Sequence, residues 1–266
     1  MEFQYFYIMK GMDPRLLAFK RLLDIMDDLR EKCPWDKKQT LESLRYLTIE
    51  ETYELGDAII DGDMNGLKGE IGDLMLHMVF YSKIASEKNA FTISDVLNGI
   101  CDKLVHRHPH IYGDVKAEDE KTVKENWEKL KLKEGKKSVL EGVPKSLPAL
   151  VKATRIQEKV RGIGFDWDEE KQVWEKLQEE IQELHDEVKG RTSKIESEFG
   201  DVLFSLINYA RFIGVDPEIA LEKTNKKFTA RFKAMEKMVN EEHKDFQNMN
   251  LAEMDVYWEK AKHQVG

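Results

Sequence analysis

Along most of this chain apolar residues recur every three or four positions, and strand-type alternation is hard to find. The stretch MDPRLLAFKRLLDIMDDLR reads as the first helix, and a new one is expected near Leu147 to Leu150, after Pro144 and Pro148. One segment departs from the amphipathic pattern. In EIGDLMLHMVF (70–80), Leu74, Met75, Leu76, Met78, Val79 and Phe80 leave almost no polar face, yet Glu70 and Asp73 stand at its start. Three residues turn a helix through roughly 300°, so the two carboxylates share one face. A charge turned toward a packed interior is costly unless it is paired or binds a metal.

The pattern is written twice. EETYEL (50–55) precedes EIGDLM (70–75), and EEIQEL (179–184) precedes EFGDVL (198–203). DKLVHR (102–107) corresponds to KKFTAR (226–231), NWEKLK (126–131) to YWEKAK (257–262), and Trp35-Asp36 to Trp167-Asp168. The shift between copies runs from 124 positions (Lys103 to Lys227) to 132 (Trp35 to Trp167). The chain therefore reads as two half-length helical units of four or five helices each. The expected layout is an extension over 1–11, a first unit over 12–134, a Lys/Gly-rich linker over 135–146 and a second unit over 147–266.

Composition agrees with an all-α fold: Glu, Lys, Leu and Met dominate, with only 6 prolines and 16 glycines. The formal charge of −9 argues against nucleic acid as the main partner, since phosphate backbones need a basic footprint. A small phosphorylated ligand needs only a few local cations. Cys33 and Cys101 form no CxxC pair, which points to a reducing, cytoplasmic compartment without a disulfide framework. No run of 18 apolar residues exists, so no membrane span is expected. MEFQYFYIM lacks a basic n-region and a cleavage site, and is expected to be an added segment ahead of the first helix.

Glu51 and Glu54 are one turn apart, as are Glu70 and Asp73, and Gly62, Asp63, Asn65 and Gly66 between them suit a tight turn. Two helices joined so closely pack antiparallel, and their four carboxylates can converge. Glu180, Glu183, Glu198 and Asp201 repeat the arrangement. Converging hard oxygens with no His or Cys suit Mg²⁺, with Mn²⁺ as an alternative, and Mg²⁺ is the usual partner of substrate phosphates. A metal rather than a salt bridge is expected to neutralise the acids, because Lys68 and Lys83 are not matched on that face in both units. One ExxE usually marks only a solvated face; two ordered pairs in both copies are harder to obtain by chance. Gly72 and Gly200, each before the Asp, suggest close helix approach or room for a ligand.

Lys227 and Arg231 share a face, as do Lys103 and Arg107, and could clamp phosphate oxygens. Trp258 and Trp127 could stack on a base or anchor the last helix of their unit, with packing favoured for Trp127. HRHPH (106–110) has no copy in the second unit and is read as a helix terminus broken by Pro109. A ferritin-like di-iron protein would need ExxH motifs, and none occurs. A non-catalytic helical nucleotide-binding or adaptor protein is the alternative to an enzyme.

Taken together, these residues resemble the MazG family of nucleoside triphosphate pyrophosphohydrolases from about Met12 to the end. CPWD followed by QT (33–40), EETYEL and KLVHRHPHIYGDV are similar to the family's first unit. LEGVPKSLPALVKATRIQEKVRGIGFDW (140–167), EEIQEL, EFGDVLF, INYAR and KFTARF are similar to its linker and second unit. The resemblance implies the all-α NTP pyrophosphatase fold in two tandem helical bundles, Mg²⁺ dependence, a homodimer, and the reaction NTP + H₂O → NMP + PPi with broad base tolerance. It implies that Glu180, Glu183, Glu198 and Asp201 hold the metal and form the catalytic centre, that Lys227 and Arg231 contact phosphates, and that Trp258 lies near the nucleotide. Activity is expected in the second unit. Glu51, Glu54, Glu70 and Asp73 leave the first unit also able to bind metal. Nucleotide-pool cleansing or a stress role is implied by the family only. The family's basic pair before the last Phe of KFTARF is incomplete here, since Ala230 takes one place.

Overall fold

The computed structural model describes residues 13–113, residue 123 and residues 138–265. Among these residues the chain forms helices and turns and no strand. It divides into two compact units, Met1–Val115 and Lys116–Gly266. The expected pairing of Trp127 with Trp258 and the NWEKLK landmark fall outside the described residues, as does the N-terminal extension.

In the first unit, α1 spans Pro14–Lys32, α2 Leu41–Asp61, α3 Met64–Glu87 and α4 Ile93–Arg107, with a 3₁₀ turn at Asp36–Lys38 and a single helical turn at Pro109–Tyr112. Each start has a local cause. The Asp13 carboxylate accepts from the Arg15 amide with Pro14 at the first helical position. Thr40 and Ser43 form a reciprocal capping box at 2.9 and 3.1 Å, and Thr92 and Asp95 form another. His108 ends α4 and Pro109 begins the next turn, as the HRHPH segment predicts. The core comprises Met26, Leu44, Val79, Phe80 and Ile84, with Leu47 and Leu76 packed against it. Arg30 closes it: its guanidinium pairs with Glu87 at 2.9 and 2.5 Å, donates to the Asp36 carbonyl and lies over the Phe80 ring.

In the second unit, α5 spans Ala149–Arg161, α6 Glu170–Gly190, α7 Ile195–Phe212, α8 Pro217–Glu241 and α9 Leu251–Val265. Val173, Leu177 and Ile207 are buried on α6 and α7. A separate cluster of Met235, Val239, Tyr257 and Ala261 joins α8 to α9. Arg211 on α7 pairs with Asp166 at 3.0 and 2.5 Å, tying the end of that helix to the loop before α6. The cysteines are free thiols, Cys33 half-buried and Cys101 exposed. No helix among the described residues is long and apolar enough to cross a membrane.

Candidate functional site

The acids are brought together by helical hairpins. Between α2 and α3 the chain reverses through Gly62 and Asp63 alone. Gly62 sits at φ +68°, where a Cβ would be strained, and the Asp63 carboxylate caps the Asn65 amide at 3.0 Å. The turn is thus shorter than the sequence suggests, because Asn65 and Gly66 already belong to α3. Between α6 and α7 the reversal takes Arg191 to Lys194, and Arg191 itself adopts the left-handed conformation at φ +51°.

Each hairpin gathers three carboxylates whose oxygens lie within 4.8 Å of one another. In the first unit these are Glu51, Glu70 and Asp73; in the second, Glu180, Glu183 and Glu198. The fourth member differs. Glu54 is exposed and stays outside the first group, whereas Asp201 stays outside the second and lines an adjacent hollow with Glu180. The predicted ring of four is therefore three plus one in both units, with a different residue set apart.

Crowding leaves an electrostatic signature. The Glu51 carboxyl is pushed above its usual range, first by burial, then by Asp73, Glu54 and Glu70. Glu183 is pushed up by loss of surrounding water and by Glu180. Glu198 stands in the first turn of α7, where the helix dipole favours a negative charge. Glu70 Oε2 is buried and has no hydrogen-bond partner. An orphaned carboxylate oxygen facing two other acids fits a hard cation that would complete its coordination. These groups are thus suited to hold a metal, with Glu51, Glu70 and Asp73 as one donor set and Glu180, Glu183 and Glu198 as the other.

One participant escapes the sequence reading. Lys176 reaches Glu180 at 2.8 Å and Glu179 at 2.7 Å, so a salt bridge does neutralise part of the second group. The signal was the Lys-x-x-x-Glu spacing on one helix face. It has no copy in the first unit, where Leu47 occupies the matching position. The glycines also read differently in space. A Cβ at Gly72 or Gly200 would meet nothing within 4 Å, so these exposed glycines do not serve a close helix approach.

Lys227 and Arg231 lie on α8 and Trp258 on α9. Lys227 is exposed and Arg231 half-buried. Glu259 on α9 is held below the usual carboxylate range first by Lys262, with Arg231 among the weaker causes. Trp258 packs against the α8–α9 core with its ring 5.0 Å from that of Phe228. This packing leaves Trp258 half-buried. Arg107 stands in the last turn of α4, a position where a cation suits the helix dipole.

Comparison with known proteins follows the same division. The profile of the MazG nucleotide pyrophosphohydrolase domain matches residues 39–112 and again 168–236. A Thermotoga maritima protein named nucleoside triphosphate pyrophosphohydrolase/pyrophosphatase MazG is 43% identical over 251 residues, covering 92% of this chain and 96% of its own. An Escherichia coli protein named nucleoside triphosphate pyrophosphohydrolase is 41% identical over 254 residues, covering 92% and 97%. The uncharacterized protein YabN of Bacillus subtilis is 43% identical over 251 residues, covering 92% of this chain and 51% of its own.

Proposed function

Because the chain belongs to the MazG nucleotide pyrophosphohydrolase family, we infer that it is a hydrolase that splits nucleoside triphosphates into monophosphate and pyrophosphate. The observation that carries the reading to particular residues is the convergence of Glu180, Glu183 and Glu198 within 4.8 Å, beside a hollow that Asp201 also lines. A non-catalytic adaptor would need no such convergence.

In this reading Glu180, Glu183, Glu198 and Asp201 hold Mg²⁺. When bound, the ion lowers the pKa of the attacking water and offsets charge on the leaving pyrophosphate. The protein's own groups do the rest. One of the second-unit glutamates accepts the water proton as oxygen attacks the α-phosphorus and the bond to the β-phosphate oxygen breaks. Lys176, already at the rim of the carboxylates, supplies a positive charge beside the phosphate chain. Lys227 and Arg231 are assigned to the outer phosphates by family likeness.

We also infer a homodimer. Ile49, Tyr53, Ile71, Met75 and Met78 on the first hairpin are exposed large apolar residues, and Leu97, Ile100 and Leu104 add an exposed row on α4. A second copy would cover surface of this kind.

The test is product analysis on a panel of ribo- and deoxynucleoside triphosphates with and without Mg²⁺, using Glu180→Ala and Glu51→Ala proteins. Pyrophosphate release is expected from the wild type with Mg²⁺ and is expected to fall by at least 100-fold in Glu180→Ala. A folded Glu180→Ala protein that keeps the wild-type rate would remove the second unit from the reaction.

A further inference from the structure

The first acid hairpin carries a donor that its copy lacks. His77 stands on α3, four residues after Asp73 and seven after Glu70. At roughly 100° per residue, the three side chains fall within about 60° of one another around the helix. Side chains on a helix lean back over the preceding turn, so the imidazole leans toward Asp73. The charge of Asp73 is accordingly felt by the His77 ring. The shift of 128 positions that carries Asp73 to Asp201 carries His77 to Ser205, so the second unit has a hydroxyl at this place.

His77 is 7% exposed, and its Nδ1 is buried with no hydrogen-bond partner. Burial, only partly offset by Asp73, holds the ring below its usual 6.5, so at neutral pH it is uncharged and keeps a lone pair. Glu70 Oε2, on the same helix face, is buried and unpartnered as well. Buried polar atoms are nearly always satisfied, so two orphans on one face call for a partner from outside the chain. A cation answers both, and also the charge that Glu51, Glu70 and Asp73 bring together. The ring stands outside the group of oxygens gathered within 4.8 Å. Asp73, however, is exposed and makes no hydrogen bond or salt bridge among the described residues, so its carboxylate can turn toward the imidazole. An i, i+4 pair on one helix face is the spacing by which two side chains reach a single ion, as the histidines of HExxH sites do.

We propose that Glu51, Glu70, Asp73 and His77 form a mixed carboxylate–imidazole site for a divalent cation of the Zn²⁺ class, so that the two units select different metals. Oxygen donors alone suit Mg²⁺, which favours a hydrated octahedral shell. One imidazole among them turns the preference toward Zn²⁺ and its first-row neighbours. The proposal rests on the first-unit acids holding an ion and is independent of the hydrolytic role given to the second unit.

The test needs no substrate. The full chain is stripped with chelator, loaded with Zn²⁺ and dialysed against a large excess of Mg²⁺, and the Zn²⁺ retained per chain is counted. The wild type is expected to keep an ion that Asp73→Asn loses. His77→Gln is expected to hold that ion at least about tenfold more weakly and so to retain one fewer per chain than the wild type. A wild type that gives up all its Zn²⁺ to Mg²⁺ would overturn the proposal, and so would equal retention by the wild type and His77→Gln. Should His77→Gln fail to give the wild-type circular dichroism, X-ray absorption by the ion that Asp73→Asn loses decides the matter. Scattering from an imidazole ring is expected, and a shell of oxygens alone would overturn the proposal.

Discussion

Lys176 Nζ stands 2.8 Å from Glu180 Oε1, one turn along the same helix, and holds a place a bound cation would have to share. The two glutamates, Glu179 first, raise the affinity of this amine for its proton, so it stays charged throughout the physiological range. Lys176→Met is expected to cost about 1 kcal/mol of stability in chelator, since the pair is only partly shielded from water. Mg²⁺ should then stabilise the variant by more than it stabilises the wild type. Melting curves with and without Mg²⁺ measure both effects, and an equal Mg²⁺ gain in the two proteins would show that the lysine does not compete.

The pH dependence of stability follows from two opposed sets of carboxylates. Glu51 and Glu183 are raised above the ordinary glutamate value of 4.5, each first by burial. The folded state then binds more protons than the unfolded one just above that value, so stability rises as pH falls into this window. Glu87 is lowered, first by its hydrogen bonds from Arg30, so its contribution is present above 4.5 and is lost as pH falls below. In chelator the Glu51 and Glu183 contribution is therefore expected to grow as pH falls toward 4.5, against a loss from His77, which burial holds below its usual 6.5. Saturating Mg²⁺ should abolish the gain from the two glutamates. Glu51→Gln is expected to flatten that gain, and a variant with the wild-type pH dependence in chelator would contradict the crowding of the acids.

Gly72 and Gly200 have open space where a Cβ would stand. Gly72→Ala and Gly200→Ala are each expected to stabilise the metal-free protein by about 1 kcal/mol through helix propensity. If the glycines keep room for a ligand, Gly200→Ala will gain stability and lose turnover together. Urea titration alongside a pyrophosphate assay separates the two; a loss of stability would mean that a packing contact fills that space.

Arg211 joins the end of α7 to the loop that carries Trp167, through a two-pronged contact with Asp166. Both side chains are largely buried, at 12% and 19% exposure. Arg211→Met is expected to cost about 3 kcal/mol, because Asp166 is left without its main partner. The same change should raise KM for triphosphates, since Arg211, Asp166 and Trp167 all border the hollow. A variant destabilised with unchanged KM would confine the pair to folding.

The hairpins, their repetition and the acids they carry were legible because helical spacing places Glu51 with Glu54 and Glu70 with Asp73 whatever the remaining structure does. Which acids meet was not, because it depends on how one helix is rotated against the next: Asp73 joins its group and the matching Asp201 does not. Lys176 is hidden when the two copies are compared, because comparison favours shared features and this one is found in a single unit. Gln157 could not be read at all. Its hydrogen bond to the Phe204 carbonyl, 47 residues away, is a contact that spacing along a helix does not show.

Phe80 and Leu47 pack into the core of the first unit, whereas Asn208 and Lys176, their counterparts, line a hollow in the second. An ion caught by Glu51, Glu70 and Asp73 would join carboxylates of two helices and so act as a rivet clamping that hairpin shut. Its departure would register in the protease resistance of α2 and α3, a reading that can be taken without any substrate.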